Sequence, residues 1–235
     1  MKTRVDTQEA ILRLAAKEVL ALVRQKPDAR IALSAYQDCL TLYDVIRDEA
    51  ASASIFAKAR FFAVEEFEDL APGAQKNCQH RLFEHFLSFA DPQLHRSSFL
   101  TAAGMEMYDE QIAAGGGLDL VILGLGARGQ IGLNEPATPY DSMTHRQKLT
   151  HTTKQAFADV FGEEASMDAY GLTIGVSGLV SARQIAVIAL GEERAESVFR
   201  MLYARTDSIV PAAFLQLPPD VCIYLDKAAA SKAFS

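Results

Sequence analysis

Asn134 and Glu135 follow a turn carrying Gly124, Gly126 and Gly129, and that turn closes the apolar run Leu118 to Leu123. An amide and a carboxylate delivered in this way can hold a small anionic or polyhydroxyl ligand, because bare glycines let main chain approach it closely. The five histidines offer less. His80, His85 and His95 lie in or after one helical stretch without metal-ligand spacing, and His145 and His151 lie in a polar segment where a lone histidine reads as solvated. Cys39, Cys78 and Cys222 are an odd, scattered set with no Cys-x-x-Cys pair, so they read as small core or site-wall residues rather than a disulfide frame or zinc site. No metal and no cofactor is expected.

The elements that must position these groups alternate. Thr7 to Gln25 carries Ile11, Leu12, Ala15, Val19, Leu22 and Val23 at helical spacing and is stopped by Pro27 and Asp28. Arg30 to Leu33 reads as a strand, Asp38 to Arg47 as a helix with Asp38 at its N-cap, and Arg60 to Val64 as a second strand. Helices are expected over Gln75 to Phe89 and Leu100 to Ala114, the latter ended by three glycines. Strands follow at Leu118 to Leu123, Gly171 to Val176, Ile185 to Leu190 and Val221 to Leu225, with a helix from Glu192 to Ala204. Strands apolar on both faces and separated by helices imply an α/β domain with a doubly wound, mostly parallel sheet, helices on both faces and ligands at the carboxyl ends of strands.

The segment from Ala137 to Tyr170 breaks this rhythm. It is polar, with weak helical patterning around Lys154 to Phe161, and reads either as a lid-like insertion or as a solvated surface helix between loops. With 235 residues, 49% of them hydrophobic and no composition break, the chain is expected to be one domain over 1–235 with 137–170 as its lid. A formal charge of -7 leaves no basic face for nucleic acid. No signal architecture opens the chain and no run approaches the roughly 20 apolar residues of a membrane span. A cytoplasmic protein acting on small metabolites, with neither nucleic acid nor membrane as partner, is the expectation.

The turn and the Asn134-Glu135-Pro136 that follows resemble the active-site signature of the glucosamine-6-phosphate deaminase and galactosamine-6-phosphate isomerase family. So do Phe62 to Leu70, Gly175 to Ala182, Leu190 to Ala195 and Val210 to Gln216, so that the resemblance runs from about Ile31 to Asp226. It implies carbohydrate metabolism: isomerisation of an open-chain amino-sugar phosphate by proton transfer between C1 and C2, with ammonia then leaving in the deaminases. It also admits a homo-oligomer.

Residue by residue, the resemblance places the acid/base carboxylate at Glu65, whose extra methylene relative to the family's aspartate displaces its head by roughly 1 Å. Glu135 matches the glutamate that partners the family's ring-opening histidine, which is replaced by Gln130; glutamine exchanges no proton near neutral pH. Arg128 stands where an acidic or amide group is the family pattern. Glu135 is therefore left to pair with Arg128, to bind a sugar hydroxyl or to hold the turn. In the phosphate cradle, Ala35, Tyr36, Gln37, Asp38 and Cys39 replace small and hydroxyl residues, so Tyr36 and Asp38 are expected to fill the phosphate volume. Arg194 matches the phosphate-contacting lysine. Ser34, Gly126, Asn134 and Ser177 complete the candidate substrate-binding set.

Two readings follow. One is an isomerase or deaminase-like enzyme with altered or reduced activity, using Glu65 as base and Glu135, Arg128 and Gln130 to bind a sugar or sugar phosphate that arrives already open or differently substituted. The other is a non-catalytic homologue that binds a sugar, a sugar acid or a partner subunit. Simultaneous loss of the histidine and of the phosphate loop separates a changed mechanism from a changed ligand.

Overall fold

Side chains alternate along the central strands so that each strand feeds two separate apolar layers. Ile31, Leu33, Leu120, Ile122, Ala186, Ile188 and Tyr224 face one layer, while Ala32, Val121, Leu123, Ile185, Val187, Ile223 and Leu225 face the other. A strand buried on both faces must lie inside a sheet covered by helices on both sides. The computed structural model of the chain describes residues 1–68, 77–157 and 169–234 and has this architecture.

Seven strands make one parallel sheet: β1 (Lys2–Asp6), β2 (Arg30–Leu33), β3 (Arg60–Ala63), β5 (Ser97–Ser98), β6 (Leu120–Gly124), β9 (Gln184–Ala189) and β10 (Val221–Asp226). Their spatial order is β1-β10-β9-β6-β2-β3-β5. Helices α1 (Gln8–Gln25) and α2 (Gln37–Glu49) cover one face. Helices α5 (Met105–Ala114), α7 (Val176–Val180) and α8 (Ala195–Tyr203) cover the other. Between them lie α3 (Cys78–Leu82) and α4 (Ser88–Ala90), joined by a π-helical turn over Phe83–Leu87. Thr7 caps α1 by accepting from the Ala10 N–H, and α1 ends at Gln25 with Lys26 as its C-cap, ahead of Pro27.

A second sheet was not expected. β4 (Glu65–Phe67), β8 (Tyr170–Thr173) and β7 (His145–Lys148) form an antiparallel trio in the order β4-β8-β7. The run Gly171 to Val176 thus joins this small sheet and not the parallel one, and its last residue, Val176, begins α7. Pairing of Glu65 with Thr173 brings the small sheet to the carboxyl end of β3.

Other boundaries shift for local reasons. Tyr36, not Asp38, is the N-cap residue of α2, and Asp38 lies in the first turn with its carboxylate directed elsewhere. The helix expected from Leu100 starts at Met105, after Gly104. The helix expected from Glu192 opens as a 3-10 turn over Glu192–Arg194. The patterning from Lys154 to Phe161 corresponds in its first part to α6 (His151–Ala156), which Thr150 caps by accepting from the Thr153 N–H; positions 158–161 lie outside the described residues.

Candidate functional site

The order of the sheet fixes where a ligand can enter. From β2 the chain proceeds outward to β3 and β5, whereas from β6 it proceeds the other way to β9 and β10, so β2 and β6 flank the point where the winding reverses. In sheets wound in this way the ligand crevice is expected outside the carboxyl ends of these two strands, between the loops that leave them. Ser34, Ala35 and Tyr36 come from the β2 loop; Leu125 to Gln130 come from the β6 loop. The two meet closely: a Cβ on Gly124 would stand 2.3 Å from the Tyr36 Cβ. Gly129 takes the left-handed turn, with φ +81°, that folds the loop back toward Gln130.

Glu65 sits at this crevice and is 1% exposed. Its Oε1 accepts from the Ser34 hydroxyl at 2.8 Å and from the Ala35 N–H at 2.5 Å. Its Oε2 is buried without a hydrogen-bond partner. Burial pushes the carboxyl up to about 7, against the downward pull of the Ala35 and Ser34 hydrogen bonds; Glu66 raises it further and Arg81 lowers it. A carboxyl group held by one oxygen, with the other bare and its proton affinity near neutrality, is suited to passing a proton. The adjacent Glu66 is not. Its carboxylate accepts from the Phe67, Cys78 and Gln79 N–H groups and so ties β4 to the start of α3.

Glu135 heads a second polar cluster. Its Oε1 accepts from the Thr150 N–H at 2.9 Å and the Thr153 hydroxyl at 2.5 Å, and its Oε2 accepts from Gln130 Nε2 at 3.0 Å and the Thr150 hydroxyl at 3.2 Å. Four donors satisfy the carboxylate, and the Arg128 guanidinium is not one of them. Arg128 is exposed and supplies its main-chain N–H to Gln130 Oε1 at 2.9 Å. Gln130 is 1% exposed and also donates to the Thr153 hydroxyl at 3.0 Å. Gly126 makes room for it, since a Cβ there would lie 2.4 Å from Gln130 Oε1. Asn134 holds the turn: its Nδ2 donates to the Ile131 and Ile174 carbonyls at 2.8 and 2.9 Å.

At the start of α2 the charges are already matched. Asp38 Oδ2 accepts from Arg194 Nε at 3.2 Å and from the Leu190 N–H at 3.2 Å. Tyr36 is buried, donates to the Gly132 carbonyl at 3.2 Å and meets Phe157 edge to face at 4.8 Å. Phe157 in turn packs on Phe67 at 4.9 Å. Arg81 lies over the Phe157 ring and donates to the Ala35 carbonyl and to Gln37 Oε1, both at 3.3 Å.

The crevice therefore gathers Ser34, Glu65, Gly126 and Gln130 with Glu135, and Arg194 through Asp38. Ser177 is turned away, its hydroxyl toward the Met143 sulfur at 3.6 Å. His145 is occupied by the Met143 carbonyl and Gln147, and His151 is exposed at the start of α6. Among the described residues, no group of three His, Cys, Asp or Glu side chains gathers to hold a metal, and no helix is long and apolar enough to cross a membrane.

Thr150, Thr153, Phe157 and Arg81 escaped the sequence reading. For Arg81 one signal existed: it shares the stripe of Cys78, Leu82 and Phe86, where an arginine must find partners to be buried.

The model of the glucosamine-6-phosphate isomerase/6-phosphogluconolactonase family matches residues 2–222 of this chain. The glucosamine-6-phosphate deaminase of Mycolicibacterium smegmatis is 33% identical over 228 residues, 93% of this chain and 87% of that protein. That of Arthrobacter sp. (strain FB24) is 32% identical over 225 residues, 93% of this chain and 86% of its own. Among solved structures, a monomeric glucosamine-6-phosphate deaminase is similar with a TM-score of 0.84 at 25% identity, covering 99% of this chain and 100% of the other. The 6-phosphogluconolactonase of Trypanosoma brucei has a TM-score of 0.75 at 18% identity, covering 100% and 98%, a likeness of fold alone.

Proposed function

This chain belongs to the glucosamine-6-phosphate isomerase/6-phosphogluconolactonase family, and on that premise we propose that it moves a proton between C1 and C2 of an open-chain amino sugar with Glu65 as the base. The observation that carries the reading is the state of Glu65: one carboxylate oxygen fixed by Ser34 and Ala35, the other buried and bare, and a proton affinity near neutrality. In the ionised form Oε2 takes the proton from C2; in the protonated form it returns that proton to C1. Side-chain acid/base chemistry suffices for this step, and the proposal needs no cofactor. Where the nitrogen leaves, water adds to the C2 imine and ammonia departs with its electron pair.

Gln130 changes the route into that step. Its amide is locked between Glu135, Thr153 and the Arg128 N–H and does not ionise near neutral pH, so it cannot serve as a general acid or base. Ring opening is then not assisted by the protein, and the substrate is one that is already open, which reduces activity on cyclic sugars. We read residues 1–235 as one domain with 137–170 as a lid, of which 158–168 lie outside the described residues; in the described part the bonds of Thr150 and Thr153 to Glu135 and Phe157 against Tyr36 support the reading. The reading places the protein in the cytoplasm. The non-catalytic alternative, a binder of a sugar or sugar acid, is favoured by one fact: Glu135 already has four donors and needs no ligand hydroxyl.

Exchange at C2 separates the two. Glucosamine and glucosamine-6-phosphate are incubated in deuterium oxide with the protein and the C2 proton is followed by NMR, together with ammonia release. Enzyme-dependent loss of that signal, reduced at least roughly 100-fold in Glu65→Gln, is the expected result. Binding of either sugar without exchange would leave the non-catalytic reading.

A further inference from the structure

The start of α2 is where a sheet of this winding would receive an anion. It is the N-terminus of a thirteen-residue helix at the reversal point of the strand order, and such ends attract negative groups through free N–H donors and the helix dipole. Beside it lies Glu65, 1% exposed, with one carboxylate oxygen buried and without a hydrogen-bond partner. Yet the guanidinium beside it is already engaged by a carboxylate of the chain itself.

Asp38 is 7% exposed and brings a carboxylate into the first turn of the helix. Two donors beside the helix start, the Arg194 guanidinium and the Leu190 N–H, both donate to Asp38 Oδ2. Arg194 is only 12% exposed and its Nε is committed to this bond, so it is not a free surface cation waiting for a ligand. Tyr36 fills the neighbouring volume against Gly124. Glu65, Glu66 and Glu135 add three carboxyl groups to the same place; of the cations near it, Arg81 and Lys154 have partners of their own, while Arg128 on the β6 loop is exposed and engages Gln130 through its main-chain N–H. Burial pushes the Asp38 carboxyl up, while Arg194 and the Leu190 N–H pull it back toward the ionised form.

We propose that Asp38 is a built-in anion standing in the place of a substrate phosphate, and that it selects unphosphorylated amino sugars for this site. The inference deepens the reading of Glu65 as a sugar site and rests on it for the sugar. A dianionic phosphate would have to displace Asp38 from Arg194 and enter beside the remaining carboxylates. A neutral hydroxymethyl end meets no such barrier, and the ammonium of an amino sugar is attracted.

Calorimetric titration of the full chain tests this with inorganic phosphate, glucosamine and glucosamine-6-phosphate as probes, on the wild type, Asp38→Ser and Asp38→Ser/Arg194→Gln. The wild type should prefer glucosamine over its 6-phosphate by roughly tenfold or more and give no saturable heat with phosphate at roughly 10 mM. Asp38→Ser should gain at least roughly tenfold in affinity for phosphate and for the phosphorylated sugar, and the double variant should lose the gain. A wild type that prefers the 6-phosphate, or a folded Asp38→Ser with unchanged phosphate affinity, overturns the proposal. If Asp38→Ser does not melt cooperatively, the isosteric Asp38→Asn carries the same comparison. Should the wild type bind no sugar while Asp38→Ser gains phosphate through Arg194, the Glu65 sugar-site reading fails and with it the selection of a sugar, whereas Asp38 as internal anion is upheld. C2 exchange in the wild type with no gain in the variants overturns the internal anion and leaves Glu65 its role.

Discussion

A single buried carboxyl carries both a chemical and a stability signature. Glu65 titrates near 7 in the fold against an ordinary value of 4.5. Because its folded value is raised, the fold holds this proton more tightly than the unfolded chain does; the associated stability is fully present below about pH 4.5 and is lost as pH rises through about 7. The shift corresponds to roughly 3 kcal/mol. Glu65→Gln mimics the protonated form and keeps an acceptor for Ser34 and Ala35, so it should be more stable than the wild type at pH 8 by up to about 3 kcal/mol and level with it near pH 4. Urea unfolding at the two pH values measures this; equal stability of both proteins at pH 8 would mean that Glu65 is not held in a poorly solvated place. If Glu65 is also the base, wild-type kcat/KM should rise with pH through about 7, since the carboxylate is the reactive form. At this scale the family pattern pointed to Glu65, Glu135, Gln130 and Arg194, whose roles are the proposal made above, and the fold shows what each of them touches. It was silent on Thr150 and Thr153, because their value comes from reaching Glu135 across fifteen and eighteen residues, a tertiary fact with no local signature.

The strands of the parallel sheet that carry an apolar alternation were found where expected, and the polar strands were not. The alternation that fills the two layers fixed β2, β3, β6, β9 and β10 to within about two residues. The strands β1, β4 and β7 are three to five residues long and polar or acidic, so hydrogen-bonded pairing rather than burial pattern defines them. The segment around α6 shows what such an element does. Thr150 caps it, Thr150 and Thr153 fasten its first turn to Glu135, and Phe157 at its end is fully buried between Tyr36 and Phe67. Phe157→Ala removes that wedge and leaves Arg81 without its ring. The loss should be about 3 kcal/mol if the surroundings do not collapse. Because the wedge packs on Tyr36 and Phe67 and is not part of the sheet, hydrogen exchange should rise first over 145–157, before β6 or β9 changes. Uniform deprotection of the whole chain would show instead that Phe157 belongs to the global core and does not act as a local clasp.

Across the whole molecule, the sheet must end somewhere, and its two margins are treated differently. On one side it tapers into β5, of two residues. On the other, β10 is apolar on both faces and would make a hazardous margin, with Ile223 and Leu225 toward one layer and Tyr224 toward the other. β1 covers it, pairing from Lys2 with Cys222 to Asp6 with Asp226, although four of its five residues are exposed. Its role is thus to occupy the hydrogen-bonding edge of β10 rather than to enlarge the core, and its composition fits: Lys2, Arg4 and Asp6 place charges along an outer strand, which discourages further pairing. This explains why a strand so polar was not visible in sequence, where strands announce themselves by what they bury. Deleting residues 1–6 should therefore cost little core packing yet expose an apolar parallel edge. The expected outcome is a truncated chain that self-associates with rising concentration in sedimentation velocity, while the full chain keeps its mass. Replacing Val5, the exposed apolar residue of β1, by Lys should leave the full chain unchanged or less prone to associate. A truncated chain with unaltered mass and melting would mean that the edge of β10 is already protected by its twist and by α1, and that β1 is dispensable to the fold.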